Sequence, residues 1–150
     1  MKKQLLTFLA LFLMLGGVAS AEERYSDLLS LNKSTNPEAT IELIDKLTLG
    51  FNLERGIIQD CKNYLKVFKK KRNDKCNKVL SRAKSINILF EILQSPEFSQ
   101  NLISLSKQLD QKSTNVISAN EIAIKIKVLM REQKQFFETS KAVNFLFKNM

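Results

Sequence analysis

The sequence predicts an all-α protein, a small antiparallel helical bundle of about four main helices that follows a cleaved signal peptide. The first observation is a shortage of turn residues: beyond residue 21 the chain has two glycines and two prolines, whereas β-hairpins need residues that tolerate positive φ. The second is that apolar residues recur at alternating steps of three and four, the spacing of a helical face. The third is an N-terminal leader organised like a secretory signal.

The leader, residues 1–21, has the three parts of a secretory signal peptide in order. Two lysines near the N-terminus precede an uninterrupted apolar run over residues 5–15, and Ala19 and Ala21 then supply the small residues that signal peptidase requires. The run is shorter than the roughly 20 residues that a membrane-spanning helix needs. We therefore expect cleavage after Ala21 and a periplasmic or secreted protein.

The remaining chain has the size of one compact domain. We expect residues 22–36 to form a short N-terminal lead, around residues 25–31, and residues 37–150 to form the helical bundle domain. The sequence has 24 basic and 15 acidic residues, and losing the two leader lysines lowers the formal charge from +9 to +7. Nothing after the leader has the length and apolar character of a transmembrane segment.

The first main helix is predicted to begin at Asn36, a capping residue, with Pro37 in the first helical position. Glu54 is the one break in its apolar face. Gly50 and Gly56 leave two alternatives open, one long helix or two shorter ones. The face consists of Ile44, Leu47, Phe51, Glu54, Ile58, Cys61, Leu65 and Phe68.

Two further helices are predicted from the same spacing. They are separated at Ser95 and Pro96, where one helix is predicted to end and a new, capped helix to begin. Residues 112–115 have the composition of a loop. The second helix carries Cys76, Val79, Ala83, Ile86, Phe90 and Leu93 on one face, and the third carries Phe98, Leu102, Leu105 and Leu109.

The last segment permits two interpretations. Ser118 and Glu121 form a capping box, which favours a helix. Residues 122–128 alternate apolar and polar, as a strand does. We favour the helix because residues 131–145 are helical in composition and a lone strand would have no partner. The helical face would carry Ile122, Ile126, Leu129, Phe136, Val143 and Phe147.

Cys61 and Cys76 are the two cysteines of the chain, and an exported protein meets an oxidising compartment, so we predict a disulfide between them. The Cα atoms of a disulfide lie within about 7 Å. This demands a turn centred near residues 68–70, with residues 69–75 as loop. The alternative is a regular helix through Arg72 with two free thiols.

The chain has no histidine, which removes the usual general base and the Ser-His-Asp and Cys-His mechanisms. No calcium loop or glycine-rich phosphate loop is present, so we expect neither a metal nor another cofactor. A pair of carboxylates is the remaining catalytic option, with Glu54, Glu91 and Glu132 as candidate acids. For Glu54 we expect a position at the edge of the apolar face, from which the carboxylate reaches water.

The strongest local signal is a basic segment from Lys62 to Lys84, with ten basic residues and one acid, Asp74. Such a surface attracts anionic partners or simply keeps the protein soluble. Nucleic acid is disfavoured, because only Tyr64 and Phe68 interleave with the cations. The candidate basic binding patch consists of Lys62, Lys66, Lys69, Lys70, Lys71, Arg72, Lys75, Lys78 and Arg82.

The function predicted from these features is that of a non-catalytic protein-binding module of chaperone, inhibitor, immunity or secretion-accessory type. One alternative is a binder of envelope or surface polyanions that uses the basic hairpin from Lys62 to Lys84. Another is a carboxylate-based cell-wall hydrolase. We expect another protein as the partner, with an anionic envelope component as the alternative, and self-association of the longest helices stays open.

Overall fold

The computed structural model describes residues 24–68, 74–111 and 118–141, and the predicted signal peptide lies outside them. In these ranges the fold is all-helical, as predicted, and residues 122–128 are helix rather than strand. No helix in the described ranges is both long and apolar enough to span a membrane. The helices are α1 (Ser26–Asn32), α2 (Pro37–Phe68), α3 (Asp74–Ser81), α4 (Ala83–Gln94), α5 (Pro96–Asp110) and α6 (Ala119–Lys141).

Helix α2 is the central element, and each of the other described helices packs against it. Its 32 residues span about 48 Å at 1.5 Å per residue. Gly50 and Gly56 do not divide it. Gly56 is exposed, whereas Gly50 is buried where a Cβ atom would lie 3.0 Å from the Tyr25 ring and 3.2 Å from the Leu89 side chain. Gly50 thus permits α1 and α4 to approach the α2 backbone closely.

The three predicted helix starts have the expected caps. Asn36 Oδ1 accepts a hydrogen bond from the Glu38 backbone N–H at 3.0 Å. Ser95 Oγ accepts a hydrogen bond from the Phe98 backbone N–H at 3.3 Å, and α5 begins at Pro96, directly after Ser95. Ser118 and Glu121 form a reciprocal capping box, with N–H to side-chain oxygen distances of 3.0 and 3.2 Å. These bonds satisfy backbone donors that a helix start leaves unpaired.

Helix directions follow from pairs of residues in contact. Helix α1 runs antiparallel to α2, because Asp27 pairs with Lys46 while the earlier Tyr25 pairs with the later Glu54. Helices α3 and α4 continue in the same antiparallel sense, since Cys61 bonds to Cys76 and Glu54 pairs with Arg82.

Helix α6 lies along α2 in the parallel direction. Lys125 pairs with Asp45 at 2.7 Å, and Glu132 pairs with Arg55 at 3.2 Å, so residue numbers rise together along both helices. The Phe51 and Phe136 rings add a tilted contact with centroids 5.1 Å apart. This pairing fixes which face of α6 is left outside.

The core is built from the predicted faces of the helices. The Arg82 N–H donates back three residues to the Val79 carbonyl oxygen at 3.2 Å, where the helix is interrupted between α3 and α4, and the predicted Ala83 and Ile86 beyond it are buried. Beyond this break Leu89 and Ile92 are fully buried, and the predicted Phe90 and Leu93 are half-buried. The fully enclosed α2 side chains are Leu43, Ile44, Leu47, Phe51, Glu54, Ile58 and Cys61.

Candidate functional site

The predicted disulfide between Cys61 and Cys76 is present, with the two Cα atoms 4.7 Å apart and both residues buried. It joins α2 to the first turn of α3. The prediction of a loop over residues 69–75 is wrong at Asp74 and Lys75. These are the first two residues of α3, so the bonded Cys76 lies in the first turn of that helix. Residues 69–73 lie outside the described ranges.

Glu54 is completely buried in the centre of the α2 core face. The Tyr25 hydroxyl donates a hydrogen bond to Glu54 Oε1 at 2.7 Å. Arg82 Nε donates to Oε2 at 2.6 Å, and Arg82 Nη2 donates to Oε1. The expectation that this carboxylate reaches water is therefore wrong, because an arginine and a phenol supply inside the bundle the donors that water would otherwise supply.

Electrostatics in this network favour one protonation state. Burial raises the pKa of the Tyr25 phenol above its ordinary value, and the hydrogen bond to Glu54 and its charge add to this effect. The hydrogen bond to Glu54 likewise raises the pKa of the Arg82 guanidinium. Near neutral pH the tyrosine is thus a neutral donor and the arginine a cation. The network joins α1, α2 and the α3–α4 break through one charge-paired contact.

Glu132 on α6 is the second buried acid, with a side chain 7% exposed. Its Oε2 accepts hydrogen bonds from Asn52 Nδ2 at 3.3 Å and from Arg55 Nη2 at 3.2 Å, and Arg131 Nη2 lies 3.4 Å from Oε1. These contacts hold α6 against α2. The third candidate acid, Glu91, is exposed on α4.

These acids do not form an accessible catalytic pair. Glu54 has no exposed surface and Glu132 almost none, so a substrate cannot reach either carboxylate in this arrangement. Each buried acid is held by arginine, and each pairing joins two segments of the bundle. Over the described ranges, no cluster of three or more His, Cys, Asp or Glu side chains is arranged to hold a metal ion.

The basic patch is brought together only in part. Arg82 does not belong to its exposed surface, because its side chain is 13% exposed and bound to Glu54. The four central cations, Lys69, Lys70, Lys71 and Arg72, lie outside the described residues. The patch members on the described surface are Lys62, which is half-buried, and the exposed Lys66, Lys75 and Lys78.

Several large apolar side chains remain exposed on the described surface, with exposures between 44% and 72%. They occur mainly on the outer faces of α2 and α6, which the predictions did not assign to a partner. For α6, the seven-residue spacing of Met130 and Phe137 is a signal that is visible in the sequence. The exposed set is Leu49, Leu53, Val67, Ile103, Ile124, Met130 and Phe137.

Two open grooves accompany these exposed residues. The larger, about 720 Å³, lies on α6 and is lined by Met130, Phe137, Lys134 and Lys141, among others. A smaller groove of about 250 Å³ lies between α1 and α2 and includes Leu49. The α6 groove therefore combines apolar surface with cations and one acid, Glu138.

Phe137 connects the α6 groove to the core. Its ring meets the Phe90 ring edge-on with centroids 5.4 Å apart, and Phe90 in turn packs on Phe136 at 5.1 Å. Lys141 Nζ lies 5.8 Å from the centroid of the Phe137 ring. The exposed aromatic is thus held by packed neighbours, which is the property of an anchor residue at an interface.

Comparison with known proteins found no matching family model, curated protein or solved structure. What these surfaces do is therefore inferred from their own chemistry.

Proposed function

We propose that the chain is an exported, non-catalytic protein-binding module of the chaperone, inhibitor, immunity or secretion-accessory type. The observation that carries this proposal is the groove on α6, where Met130 and Phe137 are 63% and 45% exposed beside lysines. Scattered exposed apolar residues are ordinary on any protein. Apolar residues gathered in one groove with a polar margin are typical of binding surfaces.

The interior of the bundle supports the same proposal. Glu54 and Glu132 each pair with arginine across segments of the bundle, which supports a structural role for both acids. The exposed apolar side chains and the exposed lysines of the described surface are both groups that serve binding. Export itself rests on the leader sequence described above.

A polyanion binder is the second candidate, and one observation favours it. The disulfide ties the C-terminal part of α2 to the start of α3, so Lys62 and Lys66 of one helix lie at the same end of the bundle as Lys75 and Lys78 of the other. Cations gathered at one end attract phosphates or carboxylates through long-range electrostatics. Such binding weakens strongly with salt.

Capture from an envelope extract separates the two candidates. The processed protein, immobilised, would be exposed to the extract at about 0.05 M and about 1 M salt, where the Debye length falls to about 3 Å. A lysine variant replaces Lys62, Lys66, Lys75 and Lys78 by Gln, and an apolar variant carries Met130→Ser.

Protein binding through apolar surface predicts a defined protein partner that the lysine variant retains at high salt and the Met130→Ser variant loses. One variant removes positive charge and the other removes apolar surface, so the comparison shows which of the two carries binding. Capture that disappears at 1 M salt and in the lysine variant, and survives Met130→Ser, would refute the proposal in favour of polyanion binding.

A further inference from the structure

Besides its buried apolar face, helix α6 carries a seven-residue repeat on its outer side, which we call the outer seam. Apolar residues occur every seven positions at Ala123, Met130 and Phe137. Lysines occur every seven positions between them, and all six side chains are exposed. The seam reads Ala123, Lys127, Met130, Lys134, Phe137 and Lys141, with steps of four and three.

The outer seam is separate from the face that α6 buries. Ile122, Leu129 and Phe136 are fully or almost fully buried and form the inner face. The two faces have the same seven-residue period and lie on different sides of the helix. The outer seam runs from Ala123 to Lys141, which corresponds to about 27 Å at 1.5 Å per residue, or about five helical turns.

The period indicates the shape of the occupant. Alternating steps of three and four keep one face of a helix against a second helix at a shallow crossing angle. The seam is also preorganised, since its helix is held to α2 by Arg55 and Glu132 and its aromatic, Phe137, is held by Phe90. A fixed helical face of this kind fits the apolar side of another amphipathic helix.

Charge selects among possible helices. Lys127, Lys134 and Lys141 occupy every second position, so a second copy packed on the same seam would bring cations together. Like charges in such a contact oppose association, whereas acids on the partner pair with the lysines and fix the register. The groove at Met130 and Phe137 adds apolar contact that a charged polymer cannot use.

We propose that the outer seam of α6 docks an acidic amphipathic helix of a partner protein. Apolar side chains of that helix pack on Met130 and Phe137, and its Asp or Glu side chains pair with Lys127, Lys134 and Lys141. This inference rests on the proposed function and names the surface and the chemistry of the partner.

Two synthetic helical peptides of about five turns test the proposal. Both carry leucine at the positions that face the apolar residues of the seam, and they differ only in carrying Glu or Lys opposite its lysines. The processed protein is titrated with each peptide, and the dissociation constants are compared. We expect the Glu peptide to bind at least about tenfold more tightly than the Lys peptide.

Two variants give the matched controls. The triple variant Lys127→Glu, Lys134→Glu, Lys141→Glu should reverse the preference and bind the Lys peptide more tightly. Met130→Asp should weaken binding of the Glu peptide at least about tenfold, with the unfolding midpoint unchanged because Met130 is exposed. The proposal is overturned if both peptides bind equally, if neither binds, or if the triple variant does not reverse the preference.

Other occupants give distinct results, each of which also overturns it. A wild-type dimer that Met130→Asp dissociates assigns the seam to a second copy. Binding to anionic lipid vesicles that Met130→Asp abolishes assigns it to a membrane surface. If Met130→Asp and the triple variant still capture the same envelope proteins as the wild type at high salt, the seam is not the docking site, and protein binding then uses a surface other than the α6 groove. If the wild type captures no protein, the proposed function itself fails.

Discussion

Removing Arg82 tests how far the buried charge of Glu54 depends on its partner. In Arg82→Met the carboxylate stays fully enclosed and keeps only the Tyr25 hydroxyl as a donor. Breaking a buried ion pair by deleting one partner costs about 3–5 kcal/mol. A domain of this size has a total stability of about 5–15 kcal/mol, so the loss is a large share of it.

Thermal and urea unfolding followed by circular dichroism measure this effect. With about 4 °C per kcal/mol for a domain of this length, we expect Arg82→Met to lower the melting temperature by roughly 12–20 °C. The matched control is Lys46→Met, which removes an exposed ion pair with Asp27 and Glu42 and should leave the unfolding curve almost unchanged.

A double variant tests whether the cost comes from the unpaired charge of Glu54, even if Arg82→Met is difficult to fold. Glu54→Met combined with Arg82→Met removes both charges and retains apolar volume, and it should be more stable than Arg82→Met alone. If the double variant loses at least as much stability as the sum of the two single variants, the cost does not come from an unpaired buried charge. A loss below about 1 kcal/mol in Arg82→Met would have the same meaning.

Three further predictions concern the same scaffold. Since burial and Glu54 raise the pKa of Tyr25, the folded protein keeps a proton that the unfolded chain releases above about pH 10, and stability falls as the pH rises beyond that value. Tyr25→Phe should show a shallower fall in urea unfolding between about pH 8 and about pH 11, and parallel curves would contradict this. Gly56→Ala should stabilise α2 by about 0.5–1 kcal/mol, because its Cβ meets no atom. Gly50→Ala should be less stable than Gly56→Ala by about 1–3 kcal/mol, because its Cβ crowds Tyr25 and Leu89, and equal unfolding midpoints would show that α1 and α4 shift freely. Cys61→Ala with Cys76→Ala should lower the unfolding free energy by about 3 kcal/mol while helical circular dichroism is retained, and an unchanged urea midpoint would mean that the cross-link adds no stability.

The sequence predicted those parts of the fold that depend on local spacing. The apolar face from Ile44 to Cys61 is the buried face of α2, and the caps at Asn36, Ser95 and Ser118 are where the pattern placed them. These features depend on residues three or four positions apart, which a single sequence displays directly.

Apart from the disulfide, contacts between residues far apart in the sequence were not predicted. Glu54 was visible as a break in an apolar face, but its partners lie 29 and 28 residues away at Tyr25 and Arg82, so spacing alone does not reveal them. The direction of α6 along α2 is a second example. Its pairing of Lys125 with Asp45 joins residues 80 positions apart, and helical periodicity is the same for parallel and antiparallel neighbours.

The contacts that stabilise the bundle surround α2, and the outer seam of α6 lies apart from them. Glu54, Cys61 and Gly50 contact α1, α3 and α4, whereas α6 is held on another side of α2 by Asp45, Arg55 and the Phe51 ring.

None of these contacts around α2 uses a side chain of the outer seam. The edge of the Phe137 ring, which belongs to the seam, meets Phe90 of α4. Changes at Lys127, Met130 or Lys134 should therefore alter binding without altering the bundle. Because of this separation, substitutions in the proposed docking surface should leave the charge-paired interior unchanged.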